Sequence, residues 1–210
     1  MNDQKTNVLL LVDLQNDFVA GGALEVPDGN SVIEIANRLM PQYDVVVATQ
    51  DWHPTDHGSF AASHDGVEIG DLFELSGLSQ VAWPVHCVQG TTGADFVSLL
   101  NIEKINTVVR KGTDPVIDSY SGFFDNGRRK STGLADLLTE KNVTRVDVMG
   151  LATDYCVKFT ALDAIDAGFE TRLIIDGCRG VNLKPGDVDA AVEEMRAAGI
   201  TILTADETRE

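Results

Sequence analysis

Val146-Asp147-Val148-Met149-Gly150-Leu151-Ala152-Thr153-Asp154-Tyr155-Cys156-Val157 is the stretch on which the reading of the fold turns. Val146–Met149 is short and rich in β-branched residues, the composition of a strand. From Val157 to Ala167 the pattern changes: Val157, Ala161, Leu162 and Ile165 fall at helical spacing, and Gly168 sits where a C-terminal cap belongs. The same strand-then-helix unit recurs along the chain. Val8–Val12, Val45–Ala48, Thr107–Arg110, Thr171–Ile175 and Thr201–Leu203 are further short runs, most of them apolar on consecutive positions, as strands buried on both faces require. Amphipathic stretches lie between them: Val32, Ile35, Ala36 and Leu39; Leu134, Leu137 and Leu138; Val188, Ala191, Val192 and Met195 before Gly199. The alternation predicts an α/β/α sandwich around a parallel sheet of six strands, in one domain over residues 1–210.

The composition sets bounds on function. With 210 residues, 43% hydrophobic and 23% charged, the chain has the make-up of a globular protein with a sizeable core. Its formal net charge of −17 argues against nucleic acid or an anionic membrane as partner, because the whole-molecule field repels both. Met1–Asn7 is polar and Val8–Val12 is too short for a signal core or a membrane span. Cys87, Cys156 and Cys178 are odd in number and form no Cys-x-x-Cys pair, so reduced thiols and a cytoplasmic location are expected.

In open parallel sheets, ligands bind outside the carboxyl ends of the strands. Asp13 follows the first run, Lys111 the third, and the turn leading to Cys156 the fourth. A carboxylate, an ammonium and a thiol thus fall at one end of the sheet. A thiol at a helix N-terminus beside a cation is expected to ionise more readily. Asp13 can then accept the thiol proton and later activate water, Lys111 can hold Asp13, and the N–H groups of the Ala152–Cys156 turn can face an oxyanion. Each residue has a plain structural alternative: Cys156 as a small buried side chain, Asp13 as a turn cap, Lys111 as a surface cation. Cys87 and Cys178 are read as structural residues in loops.

Between Ala48 and Thr107 roughly fifty residues lack a clear strand-helix unit, well beyond the usual connection. This excursion, about 49–106, holds all four histidines and both tryptophans. In extended backbone Asp51 and His53 project to one side, and His86 is a third donor from a distant position. Two imidazoles and a carboxylate suit zinc, iron or manganese with room for substrate. On spacing alone Asp-x-His is a weak motif. His57 reads either as a fourth ligand or as a group behind the ligands, and His64 as solvent-exposed.

Several stretches together resemble the nicotinamidase/pyrazinamidase group of the isochorismatase-like cysteine hydrolases. They are Leu11–Phe18, Asp51-Trp52-His53-Pro54, Trp83-Pro84-Val85-His86-Cys87, Lys111-Gly112, Asp118-Ser119-Tyr120-Ser121 and Gly150–Val157. The resemblance implies a sheet order of 3-2-1-4-5-6, counting the six runs in sequence. It implies a catalytic triad of Asp13, Lys111 and Cys156, and one divalent metal, zinc first with manganese and iron as alternatives, on Asp51, His53 and His86. It further implies a cis bond at Leu151–Ala152, an oxyanion hole from the N–H groups of Ala152 and Cys156, and a ring pocket from Phe18, Trp83, Tyr120 and Tyr155. The implied reaction is hydrolysis of nicotinamide to nicotinate and ammonia through a cysteine thioester, with pyrazinamide as a further substrate. Hydrolysis of another small amide or carbamoyl compound is the alternative, and a non-enzymatic ligand-binding relative a third. Homo-oligomerisation stays open. The stretch His64–Val81 departs most from the family pattern and leaves the covering of the pocket undefined.

Overall fold

The computed structural model describes residues 6–209, so positions 1–5 and 210 of the single-domain span lie outside the described residues. Six strands make one sheet: β1 (Thr6–Val12), β2 (Val45–Asp51), β5 (Thr107–Lys111), β6 (Val143–Leu151), β7 (Glu170–Arg179) and β8 (Thr201–Leu203). Their order is β5-β2-β1-β6-β7-β8, with every neighbour parallel. This is the order 3-2-1-4-5-6 expected for the six runs. The helices α1 (Ser31–Leu39), α2 (Leu134–Glu140), α3 (Lys158–Asp166) and α4 (Asp187–Ala197) connect or follow the strands. From β1 the chain moves outward through β2 to β5, then returns and moves the other way through β6, β7 and β8. Right-handed crossovers in opposite directions put helices on opposite faces, which gives the layered sandwich. They also open a crevice between the carboxyl ends of β1 and β6.

The central strand explains why its sequence reads so plainly. Val8 to Val12 are all fully buried, with layers on both faces, so no position tolerates a polar side chain. Sealing such a strand against helices is worth roughly 1.5–3 kcal/mol for each large aliphatic side chain, an upper estimate for the folded state. At the carboxyl ends the strands continue past their apolar parts. Thr49, Gln50 and Asp51 are buried in β2 because they have partners: Gln15 Nε2 donates to the Asp51 carbonyl (2.8 Å) and the Asp51 N–H returns to Gln15 Oε1 (2.8 Å).

Several expectations change. Cys178 lies within β7, not in a loop, because that strand runs four residues beyond Thr171–Ile175 before ending at Arg179. Its thiol donates to the Ile174 carbonyl at 3.3 Å. The excursion holds an antiparallel hairpin, β3 (Leu72–Leu75) with β4 (Leu78–Val81), joined at Ser76-Gly77. His64 is only half exposed: its ring packs on Phe73 (4.6 Å between centroids) and its Nε2 meets the Gly58 carbonyl at 2.7 Å. No helix among the described residues is long and apolar enough to cross a membrane.

Candidate active site

Asp13 leaves β1 in the left-handed region, with φ 50°, a conformation that costs a non-glycine residue energy and is held by its surroundings. Thr49 of the neighbouring strand supplies the hold. Its hydroxyl donates to Asp13 Oδ1 (2.6 Å) and accepts the Asp13 N–H (3.2 Å). Lys111 ends β5 and is fully enclosed. Its Nζ reaches Asp51 Oδ1 (2.7 Å), the Ser119 carbonyl (2.9 Å), Asp13 Oδ2 (2.9 Å) and Cys156 Sγ (3.4 Å). Although close to Lys111, Asp13 Oδ2 makes no aligned hydrogen bond. It lies with Asp51 and the Cys156 sulfur in one group whose ligating atoms are all within 4.8 Å. The oxygen beside the thiol is thus paired in charge with Lys111 but lacks an aligned donor.

Cys156 follows β6 in a turn wider than an α-helix. The N–H groups of Tyr155 and Val157 both donate to the Ala152 carbonyl, at 3.1 and 3.0 Å, the second bond spanning five residues. Such π-type turns recur at functional sites. Here it re-aims the sulfur into the crevice, 7% exposed, before α3 begins. The Leu151–Ala152 peptide is cis, and Ala152 and Cys156 share the crevice wall. Gly150 lets β6 approach β1 closely: with φ 132°, a Cβ there would sit 2.2 Å from the Val12 carbonyl oxygen.

The electrostatics correct one expectation. Burial pushes the Cys156 thiol well above its ordinary value; Lys111 pulls it down, but Asp13 and Asp51 add to the rise. Helix onset alone does not make it a thiolate. Asp13 is likewise raised, by burial first and by Asp51, against the pull of Lys111. Asp51 is held well below the carboxylate range, because Lys111 and His53 overcome its burial. Lys111 stays protonated: burial disfavours the ammonium, and the carboxylates of Asp13 and Asp51 more than compensate. Burial pushes the thiols of Cys87 and Cys178 up as well, the latter to about 12.

Asp51, His53 and His86 converge as the sequence suggested, their ligating atoms within 4.8 Å. His53 Nδ1 faces the Gly112 carbonyl and His86 Nδ1 the Pro84 carbonyl, each at 2.8 Å. A carbonyl only accepts, so both Nδ1 atoms carry a proton, and the Nε2 atoms are the ones turned inward. Those Nε2 atoms face Asp51 Oδ2 at 3.5 and 3.8 Å. Two imidazoles and a carboxylate, each with its outer atom paired, fit a divalent cation. His57 differs. Its Nδ1 faces the Ser59 hydroxyl (2.7 Å) and N–H (3.2 Å), its Nε2 is a buried atom with no hydrogen-bond partner among the described residues, and it groups instead with His53 and Asp118, their ligating atoms within 4.8 Å. Burial, and then the charge of His53, lower its pKa to about 4, so the ring stays neutral.

The crevice is lined by Asp51, His86 and Asp118 as well as by Cys156. Aromatic walls complete it. Trp83 meets Tyr155 edge-on (4.8 Å between centroids), Tyr155 meets Tyr120 (5.4 Å), and Phe18 lies edge-on to His86 (5.6 Å). All four aromatic residues named from sequence line this cleft. Leu24, Asp118 and Val181 line it too and were not singled out. Val181 arrives because Asp154 accepts the N–H groups of Val181 (2.9 Å) and Asn182 (2.7 Å), a loop-to-loop tie with no signature in spacing.

The isochorismatase domain family matches residues 7–207, and this chain belongs to that family. Within it, the nicotinamidase of Escherichia coli strain K12 is 54% identical over 200 residues, 93% of each chain. The solved Acinetobacter baumanii nicotinamidase/pyrazinamidase superposes with a TM-score of 0.94 at 42% identity, over 97% of this chain and 98% of that one. The pyrazinamidase of Pyrococcus horikoshii, solved in complex with zinc, gives a TM-score of 0.78 at 39% identity, over 95% and 99% of the two chains.

Proposed function

We propose that this chain is a nicotinamidase, a metal-dependent cysteine amidohydrolase that converts nicotinamide to nicotinate and ammonia, with pyrazinamide as a second substrate. One observation carries the mechanism: the Lys111 ammonium lies within 3.4 Å of Asp13, Asp51 and the Cys156 sulfur, tying nucleophile, base and ligand carboxylate together. Close relatives that hydrolyse this amide support the substrate.

Asp51, His53 and His86 would hold one divalent ion, for which we favour zinc over manganese or iron. When bound, the ion supplies a Lewis acid for the pyridine nitrogen and offsets the negative charge of Asp51. The residues of the chain do the rest. Phe18, Trp83, Tyr120 and Tyr155 hold the ring and place the carboxamide over Cys156. As Sγ attacks the carbonyl carbon, Asp13 takes the thiol proton. The N–H groups of Ala152 and Cys156 receive the oxyanion. Asp13 returns the proton to the departing amine, and ammonia leaves a nicotinoyl thioester. Water then gives a proton to Asp13 and attacks the thioester; nicotinate departs and Cys156 regains its thiol. Lys111 keeps Asp13 oriented through both halves. We read the whole chain as one catalytic domain working in the cytoplasm, where its three free thiols stay reduced.

Ammonia release from nicotinamide, pyrazinamide and carbamoyl compounds by the purified protein tests this reading. Turnover of nicotinamide by wild type and its loss in Cys156→Ala are expected. Turnover of a carbamoyl compound with carbon dioxide release, and none of nicotinamide, would refute the assignment.

A further inference from the structure

Gln80 comes from the stretch that departs most from the family pattern, yet its side chain reaches the wall of the crevice. It lies on β4 of the hairpin and is 3% exposed. Its carboxamide nitrogen contacts three acceptors: Asp118 Oδ2 (2.9 Å), the Val81 carbonyl (2.9 Å) and the Tyr120 hydroxyl (3.0 Å). A carboxylate and a carbonyl only accept, so the nitrogen must be on this side of the amide. The opposite side agrees, since Gln80 Oε1 accepts from Asn126 Nδ2 at 3.4 Å.

These bonds fix two groups that line the crevice. Tyr120 is held at both ends: Asn126 Oδ1 accepts its N–H (2.9 Å), and its hydroxyl accepts from Gln80 and from Trp83 Nε1 (3.1 Å). Asp118 Oδ1 accepts the Ser119 N–H (2.7 Å), while Oδ2 has Gln80 as its side-chain donor. Without that donor a buried carboxylate oxygen faces the pocket unpaired, and the tyrosine loses one of two constraints on its ring.

We infer that Gln80 is a positioning residue through which the β3–β4 hairpin sets the ring-binding wall, fixing Tyr120 and Asp118 and so governing which ring amides are accepted. The inference rests on the reading of Trp83, Tyr120 and Tyr155 as the ring wall. Gln80 touches neither the thiol nor the metal ligands, so its effect falls mainly on substrate binding.

The test is steady-state ammonia release by the metal-loaded full chain, with nicotinamide and with isonicotinamide, whose ring nitrogen is moved by one position. Gln80→Glu keeps the shape and exchanges the amide donor for a carboxyl group set against Asp118; Gln80→Leu loses both amide atoms. In each, KM for nicotinamide should rise about tenfold with kcat falling less than about threefold, and discrimination against isonicotinamide should shrink about tenfold. Melting curves and metal content, measured on the same samples, establish that the variants are folded and loaded. A folded Gln80→Glu with wild-type KM and discrimination overturns the assignment. So does a fall in kcat and metal content with KM unmoved, which marks a purely structural residue. Trp83→Ala is run alongside. A raised KM there with Gln80→Glu unmoved sinks the Gln80 role alone, whereas an unmoved KM in Trp83→Ala removes the ring wall and this inference with it.

Discussion

Lys111 is the only cation in contact with Asp13, Asp51 and Cys156 among the described residues, and all of these are buried. Replacing it by Met strands two carboxylates in the interior, a change that typically costs about 3–5 kcal/mol. Lys111→Met is therefore expected to lose both activity and several kcal/mol of stability, read from urea unfolding beside ammonia release; an unchanged unfolding midpoint would contradict the buried pairing. Arg should not rescue it, because a planar fork cannot occupy the place of a compact ammonium with three directed donors. His57 carries a second prediction. If the ion sits on Asp51, His53 and His86 alone, His57→Ala should weaken metal binding by less than about tenfold, while His86→Ala should weaken it on the order of a hundredfold. Competition with a chelating dye measures both, and equal losses would make His57 a true ligand.

At the level of elements, the turn after β5 does two things at once. Gly112 has φ 63°, and a Cβ there would lie 2.4 Å from His53 Cε1, while its carbonyl accepts from His53 Nδ1. Gly112→Ala should therefore cost about 1–3 kcal/mol of stability and at least about tenfold in metal affinity, checked by thermal melting with and without added zinc. The sequence pattern shows β1 and β2 plainly because strands covered on both faces leave unbroken apolar runs. It hides the hairpin, whose strands are short and largely half-exposed, although Ser76-Gly77, both at positive φ, carries the turn signal that marks it. Asp176-Gly177 reads as a turn and so obscured the run of β7 through Cys178, where pairing with β6 resumes after an irregularity. Asp13, Lys111 and Cys156, and the converging Asp51, His53 and His86, were legible as candidates because each follows an identifiable strand or sits in a dense polar motif. Gln15, Thr49 and Asp118 were not, since what makes them matter is burial against a partner far away in sequence. Burial also reverses the expected direction of the Cys156 shift: a helix terminus is visible in sequence, and desolvation is not.

For the whole molecule, the reversal of strand order between β1 and β6 brings Asp13 and the Cys156 turn to one crevice, and β2 and β5 add Asp51 and Lys111 from the same side. The buried cluster so formed has two carboxylates against one ammonium, within a chain whose formal charge is −17. A divalent cation on Asp51, His53 and His86 relieves that excess, and since the unfolded chain offers no such converged set, binding stabilises the fold. Ligand at a hundred times its dissociation constant contributes about 2.7 kcal/mol by mass action. Chelation should accordingly abolish ammonia release and lower Tm together, and adding back zinc, manganese or iron should restore both over the same concentration range. Magnesium, which favours oxygen ligands, should restore neither. Calorimetric melting in parallel with activity decides the matter: activity lost without any change in Tm would mean that the ion binds with substrate and not to the folded protein's own three-residue site.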